Sequence, residues 1–279
     1  MHWTAALPMY NVTPALAADW RALLDAVHTR LADTLKARGD TLGIADSVSD
    51  LTGFWLRDDL LLSQTCGYPL LHALDDRVQL VATPDFDAPG CESGCESGSE
   101  SGGYRSVLVA GAHVNAASLA DCRGLRAVYN DDDSNSGMNL FRHAVAPFAQ
   151  GSRFFASVAK SGGHLASLHA VAIDKSADIA AIDCVTLAFV RTHRPELAAG
   201  VRELGLTASA PALPFIASKR VPRDIVDALA AALSDTVAQD PALASRLRLK
   251  GFVRLTPADY APILRYEREA AKHGYPVLA

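Results

Sequence analysis

The chain has 279 residues, of which 49% are hydrophobic, 20% charged and 7% aromatic, with 31 acidic against 26 basic side chains and a formal net charge of −5. That length supports one large or two medium domains, and the composition excludes a disordered, collagenous or disulfide-dense chain. The negative charge and the lack of any Lys/Arg cluster exclude a nucleic-acid footprint and repel small anions at long range.

Apolar runs of strand length alternate with helical periodicity, the pattern of an α/β protein with largely parallel strands. Residues 3–8 read as a first buried strand, and 14–36 as a long helix with proline at its start and Gly39 just past its end. Further strands are predicted at 41–45, 60–65, 78–82, 106–110, 126–129, 154–159 and 179–182, with helices at 137–148, 163–173 and 184–190. A stretch rich in Pro, Ala and Ser at 208–218 then leads into a helix over 222–239 and a helix opening at Pro241. A short strand near Phe252 and a last helix over 257–272 follow.

No linker of disordered composition divides the chain, so its lobes are argued from chain crossings. Residues 106–110 are expected to carry the chain from lobe one into lobe two, and 202–209 to carry it back. This assigns 1–109 plus 206–279 to lobe one and 110–205 to lobe two. The first ten residues lack the basic and apolar regions of a signal peptide, so the expected location is periplasmic where a leader has been removed and cytoplasmic otherwise. No apolar run reaches the roughly 18 residues of a membrane helix, so no direct membrane insertion is expected.

Five cysteines, Cys66, Cys91, Cys95, Cys122 and Cys184, form an odd set in a long chain, which argues against a disulfide framework. Cys91 and Cys95 fall in a tandem of Glu-Ser-Gly units. Their C-x₃-C spacing lacks a second ligand pair for a metal, and residues 90–103 read as a mobile low-complexity surface loop.

Three segments place small polar residues where a strand hands over to a helix. In Tyr129-Asn-Asp-Asp-Asp-Ser134-Asn-Ser136-Gly137, either Ser134 or Ser136 can cap the following helix, and Gly137 lets a ligand approach the unpaired amides of its first turn. Ser161-Gly-Gly-His164 repeats the arrangement with a histidine on the opening turn. Ala177 to Asp183 is a buried strand ending in an acid, which either caps the next helix or accepts a hydrogen bond from a protonated ligand oxygen. Tyr10 and Tyr68 each stand in a strand-to-helix connection, as packing residues or as ligand contacts. No P-loop, H-E-x-x-H, G-x-S-x-G or G-x-G-x-x-G signature is present, and His164 and His169 lie on different helix faces. No metal site, cofactor or catalytic residue is therefore expected.

Leu7-Pro-Met-Tyr10, Gln64-Thr-Cys-Gly-Tyr-Pro-Leu70, Asp87-Ala-Pro-Gly-Cys91, the 130–139 turn, Ser161-Gly-Gly-His164 and Ala177 to Asp183 stand in an order that resembles the phosphonate/phosphite/phosphate type of solute-binding proteins of ABC transporters. The resemblance runs from about residue 5 to about 218. It implies a two-lobed type II periplasmic-binding-protein fold, each lobe a largely parallel sheet flanked by helices, with two crossing strands as a hinge and the ligand between the lobes. It also implies reversible binding of a small tetrahedral phosphorus oxyanion with hinge closure. Ser134, Ser136, Gly137 and His164 would be its oxyanion contacts, Asp183 the acidic partner of a protonated oxygen, and Tyr10 and Tyr68 the aromatics that close over it. The implied partners are the oxyanion and an ABC membrane component, with the chain itself a monomer. From another class, an enzyme on the same fold handling a phosphorylated or pyridoxal-like metabolite would use His164, Cys66 or Cys184. A cytoplasmic ligand sensor is a third reading.

Overall fold

A computed structural model describes residues 1–91 and 101–279; Cys95 and most of the Glu-Ser-Gly tandem lie outside the described residues. Two compact units emerge, one formed by Met1–Asp87 with Pro211–Asp259, the other by Ala88–Ala210 with Tyr260–Ala279.

The first unit opens with β1 (His2–Ala6), α1 (Pro14–Ala37), β2 (Thr41–Ile44), α2 (Leu51–Trp55), β3 (Leu60–Gln64), α3 (Gly67–His72) and β4 (Val78–Phe86). The second unit contributes β5 (Gly103–Tyr104), β6 (Ser106–Gly111), β7 (Arg126–Tyr129), α4 (Leu140–Ala149), β8 (Ser157–Lys160) and α5 (His164–Ala172). Its chain continues through β9 (Ile179–Asp183), α6 (Cys184–His193), α7 (Pro195–Ala199) and β10 (Val201–Leu206). After β11 (Ala210–Pro211) the chain re-enters the first unit with β12 (Phe215–Ser218), α8 (Arg223–Gln239), α9 (Pro241–Arg246) and β13 (Leu249–Val253). The last helix, α10 (Ala261–Lys272), belongs to the second unit.

In the first unit, α1 begins where the Thr13 hydroxyl accepts from the Leu16 amide at 3.3 Å and Pro14 fills the first helical position. It buries Leu16, Trp20, Leu23, Leu24, Val27, Leu31 and Leu35, a stripe at helical spacing in which each large apolar side chain is worth roughly 1.5–3 kcal/mol. Arg30 on the same helix reaches the α8 side chain Thr236 at 3.0 Å. The sheet runs β13-β4-β12-β3-β1-β2, with β1 parallel to β2 and β3, and with β12 and β13 pairing antiparallel.

The second sheet runs β10-β6-β9-β7-β8. Its β9, β7 and β8 are parallel, while β6 pairs antiparallel with both β9 and β10. Both sheets are thus mixed rather than largely parallel, because the strands that follow long excursions of the chain return in the opposite sense. Asp178, just before β9, accepts from the Arg126 amide at 2.8 Å and from its guanidinium at 2.7 and 3.0 Å, which clamps the starts of β7 and β9 together.

The chain passes between units at Asp87/Ala88 and Ala210/Pro211 rather than at the expected 109/110 and 205/206. The physical reason is the pairing of β6 with β9 and β10, which makes both expected crossing strands members of the second sheet. Residues 260–279, expected in the first unit, pack in the second. Ala270, Tyr275 and Leu278 join Phe141, Phe154 and Phe155 in its core, Asn139 donates to the Ile263 carbonyl at 3.1 Å, and Arg142 donates to the Pro276 carbonyl at 2.7 Å. None of the described helices is long and apolar enough to cross a membrane.

The Arg126 hydrogen bonds hold the Asp178 carboxyl at a pKa of about 2. In the unfolded chain it titrates near its ordinary value of about 4, so added acid protonates the unfolded state first. The stability this group supplies is therefore present above about pH 4 and disappears as the pH falls towards 2. Asp178→Asn should lower stability at neutral pH by about 2 kcal/mol and flatten the loss between pH 4 and 2, as read by urea unfolding.

Candidate functional site

Since β9, β7 and β8 run parallel and side by side, the helices that follow them, α6, α4 and α5, all begin at one edge of the second sheet. Asp183 ends β9 and caps α6, its Oδ1 accepting from the Thr186 amide at 2.9 Å. Beyond β7, Ser134 accepts from the Gly137 amide at 2.9 Å, and the turn 135–139 is wider than an α-helix, with the Asn139 amide reaching the Ser134 carbonyl at 3.0 Å. Such five-residue turns are rare and recur at functional sites. Beyond β8, α5 starts at His164 with Gly163 before it and no side-chain cap.

These starts meet at one place. The Ser136 hydroxyl lies 2.8 Å from His164 Nε2, and Asn130 Nδ2 lies 3.5 Å from the same nitrogen. Ser106 on β6 donates to the Ser136 carbonyl at 2.9 Å, fixing the turn from beneath, and Ser106 is the register partner of Asp183. Gly137 is needed for this closeness, because an added Cβ would run into the Asn130 amide oxygen and lie 3.1 Å from the His164 ring. We assign Nε2 as the acceptor from the Ser136 hydroxyl, with Asn130 Nδ2 at the limit of hydrogen-bond reach, an assignment that puts the imidazole proton on Nδ1. His164 Nδ1 and Asn130 Oδ1 are both buried without a hydrogen-bond partner. Burial drives the His164 pKa down to about 4, so the ring is neutral at pH 7.

The sequence-predicted residues separate into those this arrangement gathers and those it does not. Ser134, Ser136, Gly137 and His164 come together, with Asp183 across the strand pair from Ser106. Tyr10 and Tyr68 belong to the first unit. The Tyr10 ring is buried between Trp20, stacked at 6.1 Å, and Phe86, edge-on at 5.3 Å, while its neighbours Pro8 and Asn11 line a cavity of about 370 Å³. Tyr68 is half-buried near the start of α3 with its ring 4.3 Å from that of His72. Asn130 and Ser106 escaped the sequence reading. Asn130 stood in the quoted turn but carried no motif of its own, and Ser106 looked like one more residue of an apolar strand. The acidic run beside the site is partly neutralised, since Asp132 pairs with Lys160 at 2.8 Å and accepts from the Tyr129 hydroxyl at 2.6 Å. Of the thiols weighed as nucleophiles, Cys66 is buried, and Cys184 is kept protonated by its contact with Cys91 and by burial. Among the described residues no group of three or more His, Cys, Asp or Glu could hold a metal ion.

Solved structures with this fold are two-lobed binding proteins. A binding protein component of an ABC phosphonate transporter from Pseudomonas aeruginosa superposes with a TM-score of 0.68 at 16% identity, over 98% of this chain and 87% of its own. PhnD1 from Prochlorococcus marinus, solved with methylphosphonate, gives 0.67 at 14% identity over 97% and 98%. A Xanthomonas citri protein bound to ATP gives 0.67 at 14% identity over 98% of each chain. A comparison with curated proteins finds no match. The class is therefore the two-lobed α/β periplasmic-binding-protein fold. Residues 12–260 match the family model described as the ABC transporter, phosphonate, periplasmic substrate-binding protein, and the chain belongs to that family. Its members are substrate-binding proteins rather than enzymes.

A histidine whose folded pKa is depressed to about 4 resists a proton that the unfolded chain accepts near its ordinary value of about 6.5. Stability should therefore fall as the pH drops from about 6.5 towards 4, by at most about 1.4 kcal/mol per pH unit. Chemical denaturation across that window should show the slope, and His164→Gln should remove its share.

Proposed function

We propose that the second unit binds a small tetrahedral phosphorus oxyanion, namely phosphate, phosphite or a phosphonate, as the ligand-binding component of an ABC-type uptake system. Ser134, Ser136, Gly137 and His164 form the contact set, and binding is coupled to hinge closure. The single observation that carries the reading is the buried, unpartnered His164 Nδ1, on a ring whose Nε2 lies 2.8 Å from the Ser136 hydroxyl at the shared edge of two helix starts. A buried donor without an acceptor costs about 1–3 kcal/mol, and an oxyanion oxygen supplies that acceptor. The first-turn amides of α5 and of the 135–139 turn add donors and a favourable dipole for negative charge.

The energetics are sufficient. A micromolar complex needs about −8 kcal/mol, association costs at least about 4 kcal/mol, and charge-assisted hydrogen bonds return roughly 1.5–3 kcal/mol each. Roughly five to seven such bonds close the balance, a number that two helix starts, the Ser134 hydroxyl and a histidine approach. Membership of a phosphonate-binding family and the fold shared with a methylphosphonate complex support the choice of phosphorus over other oxyanions.

Calorimetric titration should show micromolar binding of at least one of methylphosphonate, phosphite and phosphate. Silence for all three at millimolar ligand would sink the proposal. His164→Ala and Ser136→Ala should each weaken binding by about 1–3 kcal/mol with an unchanged circular-dichroism spectrum.

Asp183 is proposed as the acceptor for a protonated P–OH, which sulfate does not present at neutral pH. Asp183→Asn keeps the α6 cap, because an amide oxygen also accepts from the Thr186 amide. The variant should narrow the preference for phosphorus oxyanions over sulfate, and an unchanged affinity ratio would remove that role.

A further inference from the structure

The thiols of Cys91 and Cys184 meet in the second unit with their sulfur atoms 3.5 Å apart, although 93 residues separate them in the chain. Both are buried, at 3% and 2% exposure. The approach is built rather than incidental. Gly90 has φ +99°, and a Cβ there would come within 2.9 Å of the Cys184 Cβ, so the backbone before Cys91 can lie against Cys184 only as glycine. The Cys91 amide closes a turn on the Ala88 carbonyl at 3.0 Å, and the Cys184 amide donates to the Arg105 carbonyl at 3.1 Å, which holds both backbones in place. Cys184 opens α6 directly after Asp183, and Cys91 lies four residues beyond Asp87, where the chain enters the unit.

We propose that Cys91 and Cys184 are joined by a structural disulfide in the functional protein. The sulfurs stand at van der Waals contact, so a bond of about 2.05 Å needs small side-chain rotations rather than backbone movement. The family is periplasmic, a compartment in which such bonds form and persist. The oxidant is a disulfide, R–S–S–R. The Cys91 thiolate attacks one of its sulfurs, giving a mixed disulfide and releasing one thiol, R–SH, which carries the proton from Cys91. The Cys184 thiolate then attacks the Cys91 sulfur, forming the internal bond and releasing the second R–SH with the second proton. Two protein thiols are oxidised and one external disulfide is reduced. Because both thiols are covered in the folded unit, this exchange belongs to folding, before the pair is buried. The closed loop of 93 residues removes much conformational freedom from the unfolded chain.

The test refolds the reduced, denatured full chain in a mixture of oxidised and reduced glutathione. The product should have two of its five thiols blocked to alkylation and a mass about 2 Da below that of the reduced chain. Cleavage after glutamate together with cleavage after lysine and arginine places each cysteine on its own peptide, with Cys91 parted from Cys95 at Glu92, and should yield the 78–92 peptide joined to the 176–191 peptide. Dithiothreitol should lower Tm by on the order of 10 °C, a difference that Cys184→Ala abolishes. Five free thiols after refolding, a bond to Cys66, Cys95 or Cys122, or a Tm indifferent to reduction would each overturn the proposal.

Discussion

Parallel pairing of β9, β7 and β8 is the constraint from which the chemistry of the second unit follows. Parallel neighbours cannot be joined by tight turns, so each connection carries a helix, and all three helices must start at the same sheet edge. The opposite edge is closed by Asp178, which takes three hydrogen bonds from Arg126 and so fixes the register of β7 against β9 from below. Of the three helix starts, two carry a side-chain cap on one amide each, Ser134 on that of Gly137 and Asp183 on that of Thr186. The third, α5, has glycine at its cap and His164 in its first turn. The unmet hydrogen-bonding demand at that edge is therefore concentrated around one imidazole.

A site of this kind is compatible with the charge of the whole chain. Salt damps the repulsion from the net charge of −5 beyond a screening length of about 8 Å, and helix-end amides, hydroxyls and a neutral imidazole act within one turn, where their local geometry decides. The ammonium of Lys160, at the end of β8, is already paired with Asp132. Recognition by neutral donors also favours discrimination by protonation state. A guanidinium would attract any anion, whereas on the proposed role of Asp183, donors balanced by one carboxylate would distinguish an oxyanion that still carries a proton from one that does not.

Most elements were legible because their signals are local. Thr13-Pro14 with its apolar stripe, the uninterrupted strands 60–64 and 179–183, and the cap at Ser134 each contain their own evidence. What the sequence concealed depends on partners distant along the chain. β6 and β10 carry the composition of any buried or edge strand, and only their mutual pairing reveals that they lie inside one sheet rather than between two units. The last helix reads as amphipathic wherever it docks, and its place is decided by Asn139 and Arg142 reaching the carbonyls of Ile263 and Pro276. β8 starts at Ser157 rather than Phe154 because Phe154 and Phe155 are drawn into the core beside Phe141. The same limit applies at the site: Ser136 and His164 were singled out separately, but the 2.8 Å bond between them, and the Asn130 side chain pressed against Gly137, exist only in three dimensions.

Two buried polar atoms at the proposed site bear on how affinity would arise. His164 Nδ1 and Asn130 Oδ1 are each buried without a partner among the protein's own groups, and a buried polar group left unpaired costs about 1–3 kcal/mol. An acceptor oxygen that satisfies Nδ1 removes a cost already present rather than adding a bond to a relaxed surface, so the gain on binding exceeds that of the same hydrogen bond formed at an exposed histidine. On the proposed role, stability withheld at Nδ1 would reappear as affinity, which is how a compact cluster of neutral side chains would hold a small anion without a cation at its centre.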